Sequence, residues 1–412
     1  MFFNLVASNL LNIDVKPAVL SGITDKGLKY NITSETIENY ISNFFYKSNI
    51  NFARPTIKLE LDNGNTINIK ARRGQFDEQK NLFYLKDKVE LLSSDGAYLE
   101  ALLITLNIAR AEIYTDQKII ARDGDNFFYS KGFILHDNFN KLTIYGPIVV
   151  SDIDIIAENL YRYDIFNNIY LRTTGNVFVD NKLRIISTDS PFFGYRNSIR
   201  YAADSFKANY ISINGFRNTS NSLENFTRIE MLNNVVVHDS KNDGTLKGDK
   251  YIYDVLKGIM ILTSKDKLTT YEDRKYFVSV KDRFEFNTKD NTIVARGNPH
   301  LITKNDNNKN YDIKAGLVYA KLKPVSNEID YAEIFDNIVI KSHDNSVIYA
   351  DYGYLDYAKN ILSLEDNVRI VDSQGNTVEG CKIILDIQSG QTKLIKCDDQ
   401  EDIATTITRK QK

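Results

Sequence analysis

The four histidines, His136, His238, His300 and His343, are the first residues to weigh for chemistry, and none has a neighbour at metal-ligand spacing. They read as surface or strand-end polar side chains. Asp77, Asp254, Asp356 and Asp386 recur beside turns. Recurrence at a turn-proximal position is hairpin geometry rather than acid–base pairing. The chain has no Gly-rich phosphate loop, no nucleophile elbow and no Cys-x-x-Cys pair. Lys70, Arg72 and Arg73 form a basic patch that suits anionic phosphates or, more simply, a solvated face. Cys381 and Cys397 are the only cysteines. A turn centred near Ser389 would set them across one hairpin, as a disulfide in an oxidising compartment or as two buried thiols. No cofactor and no metal are expected. The chemistry on offer is apolar.

That apolar chemistry is periodic. INIKARRGQFDEQKNLFYLKDKVEL at 67–91 and VIYADYGYLDYAKNILSLEDNVRI at 347–370 share a small residue, then Asp six residues on, then Val twelve further on. With the small residue as position zero, frames start at Ala71, Ala101, Ser130, Gly248, Lys281, Ala350 and Gly380, with looser versions near Ala157, Ala202 and Ala315. Offsets +12, +14, +18 and +20 give Phe83, Leu85, Val89, Leu91; Ile113, Thr115, Ile119, Ala121; and Leu142, Ile144, Ile148, Val150. They continue as Met260, Leu262, Asp266, Leu268; Ile293, Ala295, Pro299, Leu301; and Leu362, Leu364, Val368, Ile370. Thr115 and Asp266 are the only polar members. Intervening positions such as Lys86, Glu90, Thr143, Arg296 and Glu365 are mostly polar. Alternate strand residues point to opposite faces, so one face turns inward and the other meets water.

Turn chemistry separates the runs: Asp62-Asn63-Gly64, Asp95-Gly96, Asp123-Gly124, Asp243-Gly244, Ser373-Gln374-Gly375 and Ser389-Gly390. Each frame is an antiparallel hairpin. The expected fold is all-β, a jelly-roll-like or solenoid stack of about ten hairpins of roughly 30 residues, with an unpaired edge at each end. One short helix is expected around Ser34–Phe45. Composition agrees: 42% of residues are hydrophobic, Tyr and Phe number 25 and 22, and only 6 are proline. A net charge of −2 gives no pull towards nucleic acid. No segment reaches the roughly 18 apolar residues of a membrane span. The start, MFFNLVASNLLNI, is apolar but short and lacks a basic n-region.

The ordered series of segments resembles the OstA-like periplasmic lipopolysaccharide-transport bridge proteins. The N-terminal part is similar to the LptC type through SGITDKGLKYNITSETI (21–37), ARPTIKLELDNGNTINIKARRGQFD (53–77), LKDKVELLSSDGAYLEA (85–101) and YGPIVV (145–150). The remainder is similar to the LptA type through IIAENLYRYD with TTGNVFV (155–179), MLNNVVVHDSKNDGTLKGDKYIYD (231–254) and the stretch from Val347 to Asp386. The resemblance divides the chain into a leader or truncated export or anchor segment (1–22), an LptC-like jelly-roll (23–154), an LptA-like jelly-roll (155–398) and a polar tail (399–412). It implies a twisted β-jelly-roll that takes up lipid A acyl chains in the periplasm, without catalysis. It implies an inner-membrane exporter at the N-terminal edge, an outer-membrane assembly protein at the C-terminal edge, and room for head-to-tail self-association. LptC-type proteins carry an N-terminal membrane helix, which this sequence does not show, so inner-membrane association would need an anchor upstream; the two types are normally separate chains and here read as fused. The lipid would lie along Phe83, Leu85, Val89, Leu91, Leu142, Ile144, Ile148, Val150, Met260, Leu262, Leu362, Leu364, Val368 and Ile370. The alternative is a carbohydrate-active β-solenoid enzyme or surface adhesin, which would cluster carboxylates at one turn level.

Overall fold

Strand Lys29–Ser34 alternates exposed and buried side chains residue by residue, and that alternation organises the protein. The computed structural model describes residues 18–24, 27–41, 48–61, 64–94, 96–123, 126–151, 169–196, 198–211, 226–241, 243–303, 311–324, 329–342, 345–387, 391–397 and 405–407. Among these every regular element is a strand, every pairing is antiparallel, and no helix is long and apolar enough to cross a membrane. The chain forms two compact units, one of residues 1–196 with 205–226 and one of 197–204 with 227–412.

In each unit the strands are shared between two plies. A strand runs along one ply, turns a corner, and continues along the other. In the first unit one ply is ordered 18–23, 29–34, 56–60, 66–70, 90–93, 98–101, 119–123, 126–130, 148–151, 169–173 and 192–196. The facing ply is ordered 36–41, 48–53, 73–77, 82–86, 103–107, 112–115, 132–136, 141–145, 177–180, 185–188 and 205–210. The second unit repeats the scheme. One ply runs from 199–203 through 236–239, 244–248, 269–272, 276–280, 300–303, 312–314, 339–341, 347–350 and 368–371 to 377–380. Its partner runs from 228–232 through 250–254, 259–263, 283–287, 292–296, 317–322, 329–335, 352–356, 361–365, 382–386 and 392–395 to 405–407.

The corners are built by consecutive residues with left-handed backbone. Asp87 and Lys88 have φ of 63° and 61°, and the same device recurs at Asn233-Asn234, Asp336-Asn337 and Asp366-Asn367. The ladder shifts register at each of these pairs. Asn and Asp tolerate this conformation better than other non-glycine residues. At the corner Gly297-Asn298, glycine supplies a φ of 85°. A two-residue corner preserves parity, so offsets +14 and +18 both face inward.

Hairpin ends are fixed by aspartate. Asp77, Asp180, Asp254 and Asp356 each accept, through Oδ1, a backbone N–H three residues on. Lys80, Lys257 and Lys359 add an ion pair to their aspartates. The Lys359 ammonium and backbone N–H hold the Asp356 carboxyl below its ordinary value, and the Lys257 N–H and ammonium do the same for Asp254. Partial desolvation pushes Asp77 up, but hydrogen bonds from Lys80 outweigh it. A depressed carboxyl contributes stability that is complete above the unfolded value near pH 4 and is lost as pH falls through the folded value. The melting temperature of the wild type is therefore expected to fall below about pH 4. Asp356→Asn keeps the turn acceptor but removes the charge, so its melting temperature should fall less steeply over the same range; parallel slopes would contradict the linkage.

Two expectations are corrected, the helix near 34–45 and the inward place of Asp266 and Leu268. Thr36–Ile41 is a strand paired with 48–53, not a helix, and β-branched residues such as Thr36 and Ile37 favour that extended pairing. Within the expected leader, Ala18–Ile23 is an edge strand. Within the expected polar tail, Thr405–Ile407 pairs with 392–394. Asp266 and Leu268 are exposed rather than inward, because the corner there spans residues 264–268, and Thr269 and Tyr271 take the inward register. The boundary at 154/155, the frame at Ala157 and the turn at Ser389 lie outside the described residues.

Candidate functional site

The inward row is the site to examine, and the two plies of each unit face each other across it. In the first unit Phe83, Leu85 and Val89 have no accessible surface. They close with Ile57, Leu59, Ile69 and Ile113 into one core, against which Leu91 and Leu142 pack half-buried. The Phe83 ring lies 4.9 Å from Phe52 and 6.1 Å from Phe76. Gly74 makes room for it, since a Cβ there would sit 2.7 Å from Phe83 Cε1 and 2.9 Å from Pro55 Cγ. At the far end of the second unit, Leu362, Leu364, Val368 and Ile370 are buried in a second core with Ile338, Ile340 and Ile383.

Outside the closed core of each unit the row changes character. Ile148 and Leu262 stay buried, but Ile144, Val150 and Met260 are only partly buried, as Leu91 and Leu142 are. So are the inward residues Tyr201, Tyr253, Tyr271, Phe284, Phe286, Ile293 and Leu301. Inward apolar side chains that keep solvent contact could meet a guest, whereas fully buried ones act as packing. The frame offsets passed over Tyr201, Tyr251 and Tyr271. Register shows them, because Tyr251 stands opposite Leu262, Tyr201 opposite Val237 and Tyr271 opposite Leu246. Burial pushes the Tyr251 hydroxyl well up, with Tyr201 and Tyr253 adding to the effect. Burial also raises Tyr271, whose hydroxyl donates to Asp273 Oδ2 at 2.7 Å.

The remaining candidates fall outside this interior. Lys70, Arg72 and Arg73 are exposed, and Arg73 pairs with Asp87 at the corner. His300 Nε2 lies 2.7 Å from Asp312 Oδ1 and His238 Nδ1 lies 2.9 Å from Thr245 Oγ1, both between neighbouring strands. Among the described residues no three His, Cys, Asp or Glu side chains converge as a metal site would require. Cys381 and Cys397 are joined as a disulfide, with Cα atoms 5.0 Å apart.

Residues 20–147 match the family described as lipopolysaccharide-assembly, LptC-related. No curated protein matches the chain. The LptC-related stretch holds the whole of the first closed core, from Leu28 to Phe139. That family is one of transport rather than catalysis, and it belongs to the envelope.

Both units offer strand edges. Among the described residues, 18–23 and 36–41 each pair with one neighbour only, as do 377–380 and 405–407 at the other end. Val19 and Ile23 on the first of these are more than half exposed, at 65% and 58%.

Proposed function

We propose that this chain is a non-enzymatic periplasmic bridge for lipopolysaccharide, with residues from about 155 onward acting as an LptA-type partner to the LptC-related stretch. The observation that carries the reading is the inward apolar row, which is closed at Phe83 and Leu364 but keeps solvent contact at Ile144, Val150 and Met260. Each acyl methylene left in water costs about 0.8 kcal/mol, so a lipid with several chains needs a covered route through an aqueous compartment. A row of Ile, Leu, Val, Phe and Met without deep pockets shields chains yet lets them slide. The inward side chains Leu142, Ile144, Ile148, Val150, Met260 and Leu262 would meet the acyl chains. Phe83, Leu85, Val89, Leu91, Leu362, Leu364, Val368 and Ile370 would meet them only where the plies part.

The edges at 18–23 and 36–41 would receive an inner-membrane exporter, and those at 377–380 and 405–407 an outer-membrane assembly protein or a second copy, through main-chain hydrogen bonds. The test is site-specific photo-crosslinking in cells. A photoreactive residue at Ile144 or Met260 should yield lipopolysaccharide adducts, and one at the outward positions Thr143 or Glu285 should not. Adducts from the outward pair alone would overturn the reading.

A further inference from the structure

In the second unit, the ply that runs from 228–232 to 405–407 carries Glu230, Glu285, Glu333 and Glu365 on its water-facing side. Three of these glutamates have a cation supplied by the chain. Arg228 lies 2.6 Å from Glu230, Arg283 lies 3.3 Å from Glu285, and Lys382 lies 2.6 Å from Glu365. Glu333 has no cationic partner among the described residues, and it accepts one hydrogen bond, from the Tyr352 hydroxyl at 3.4 Å. The lysines around it are engaged elsewhere: Lys321 donates to the Asp290 carbonyl, and Lys359 pairs with Asp356 at 2.7 Å. What surrounds Glu333 is aromatic. Register sets it directly between Tyr319 and Tyr354, with Tyr331 and Phe335 two residues away on its own strand and Tyr352 diagonal to it. Buried Ala332 and Ile334 alternate with this set, which therefore faces away from the core. The Tyr331 ring lies 5.7 Å from Tyr354 and 6.5 Å from Tyr319, and Phe335 lies 5.5 Å from Tyr352. Tyr354 is 38% exposed and Glu333 is partly exposed, so solvent reaches the patch.

We propose that Glu333, walled by Tyr319, Tyr331, Tyr352 and Tyr354, is a docking site for an arginine side chain presented by a partner protein. A carboxylate set among aromatic rings is what a guanidinium fits, because its fork donates to both carboxylate oxygens while its plane lies against a ring. The chain makes the ring contact with its own arginines elsewhere on its outward faces: the Arg369 guanidinium lies 4.4 Å from the Tyr349 ring and that of Arg122 lies 5.4 Å from Phe127. At Glu333 the rings and the carboxylate are in place and the cation is the component left for a partner to bring. The site is on the opposite side of the ply from the apolar row, so it stands or falls independently of the lipid route.

The experiment uses the full chain and a short fluorescent peptide of alternating glycine and arginine, with counterparts in which citrulline or lysine replaces arginine. Binding is read by fluorescence anisotropy. The wild type is expected to bind the arginine peptide most tightly. Glu333→Gln should weaken that binding about tenfold, the fold-change of one hydrogen bond to a charged group. Tyr354→Leu should weaken it about threefold, the fold-change of one exposed cation–π contact. That second variant reads the site from its wall, should Glu333→Gln alter the melting temperature. Glu365→Gln, on the same face but already paired with Lys382, should bind as the wild type does. A citrulline or lysine peptide that binds as tightly as the arginine one would overturn the proposal. So would full binding by both Glu333→Gln and Tyr354→Leu, or no binding by the wild type.

Discussion

Phe83→Ala is expected to destabilise the first unit by about 3–5 kcal/mol, the usual cost of emptying a large aromatic site. Phe83 has no accessible surface and touches both plies' shared core, with Phe52 and Phe76 rings packed on it. Collapse around the void is restricted. Gly74 has no side chain to swing in, and Pro55 is a fixed ring. Hydrogen exchange of the whole chain separates the units: amides of 48–53, 73–77 and 103–107 should exchange faster, while those of 338–341 and 361–365 should not change. Leu91→Ala, at a half-buried position packed on the same core, should cost much less. If the two substitutions cost the same, the first unit's interior is not the filled core described. The comparison also separates packing from function, because a transport defect in Phe83→Ala would then trace to lost structure rather than to a lost lipid contact.

The inward row was legible in the sequence because strand parity is rigid. Phe83, Leu85 and Val89 could face the core only together, and a change of parity would have turned all of them to water. The corners were not read, although the signal was present. Asp366-Asn367, Asp336-Asn337 and Asn233-Asn234 fall at the gap between the inward pairs, and paired Asx residues inside a strand point to left-handed backbone. Asp87-Lys88 adopts the same conformation without that signature, since lysine has no such preference. Where the corner lengthens, at 264–268, fixed offsets fail, and they misassigned Asp266 and Leu268 while missing Thr269 and Tyr271. The half-exposed part of the row was not legible at all. Ile144 and Leu364 are both aliphatic and stand at the same offset, yet Leu364 has no accessible surface and Ile144 is only partly buried, a difference that periodicity does not carry.

Breaking the Cys381–Cys397 disulfide is expected to loosen the C-terminal end of the second unit by about 3 kcal/mol, the chain-entropy value for a loop of about 15 residues. The bond closes a separation of 16 residues, and it lies at the corner column, where the last long strand passes from one ply to the other. Its neighbours explain why the effect should stay local. Ile383, Leu385 and Leu394 are buried and hold the hairpin by packing, so the strand 382–386 remains paired with 361–365 when the bond is cut. The four residues 392–395 and the three of 405–407 have less to hold them. Both cysteines are exposed, so a reductant reaches the bond without unfolding. In Cys381→Ser, or in the reduced wild type, amides of 392–395 should exchange roughly a hundredfold faster, which is what that free energy amounts to for local opening. Amides of 29–34 should not respond. Adding reductant to Cys381→Ser should change nothing further, which separates the bond's effect from that of the reductant. Unchanged exchange at 392–395 would mean that side-chain packing alone holds this end. If the rise is seen, the terminal strands that would receive a partner are held in register only in an oxidising compartment, and partner capture at that edge should fall with the bond.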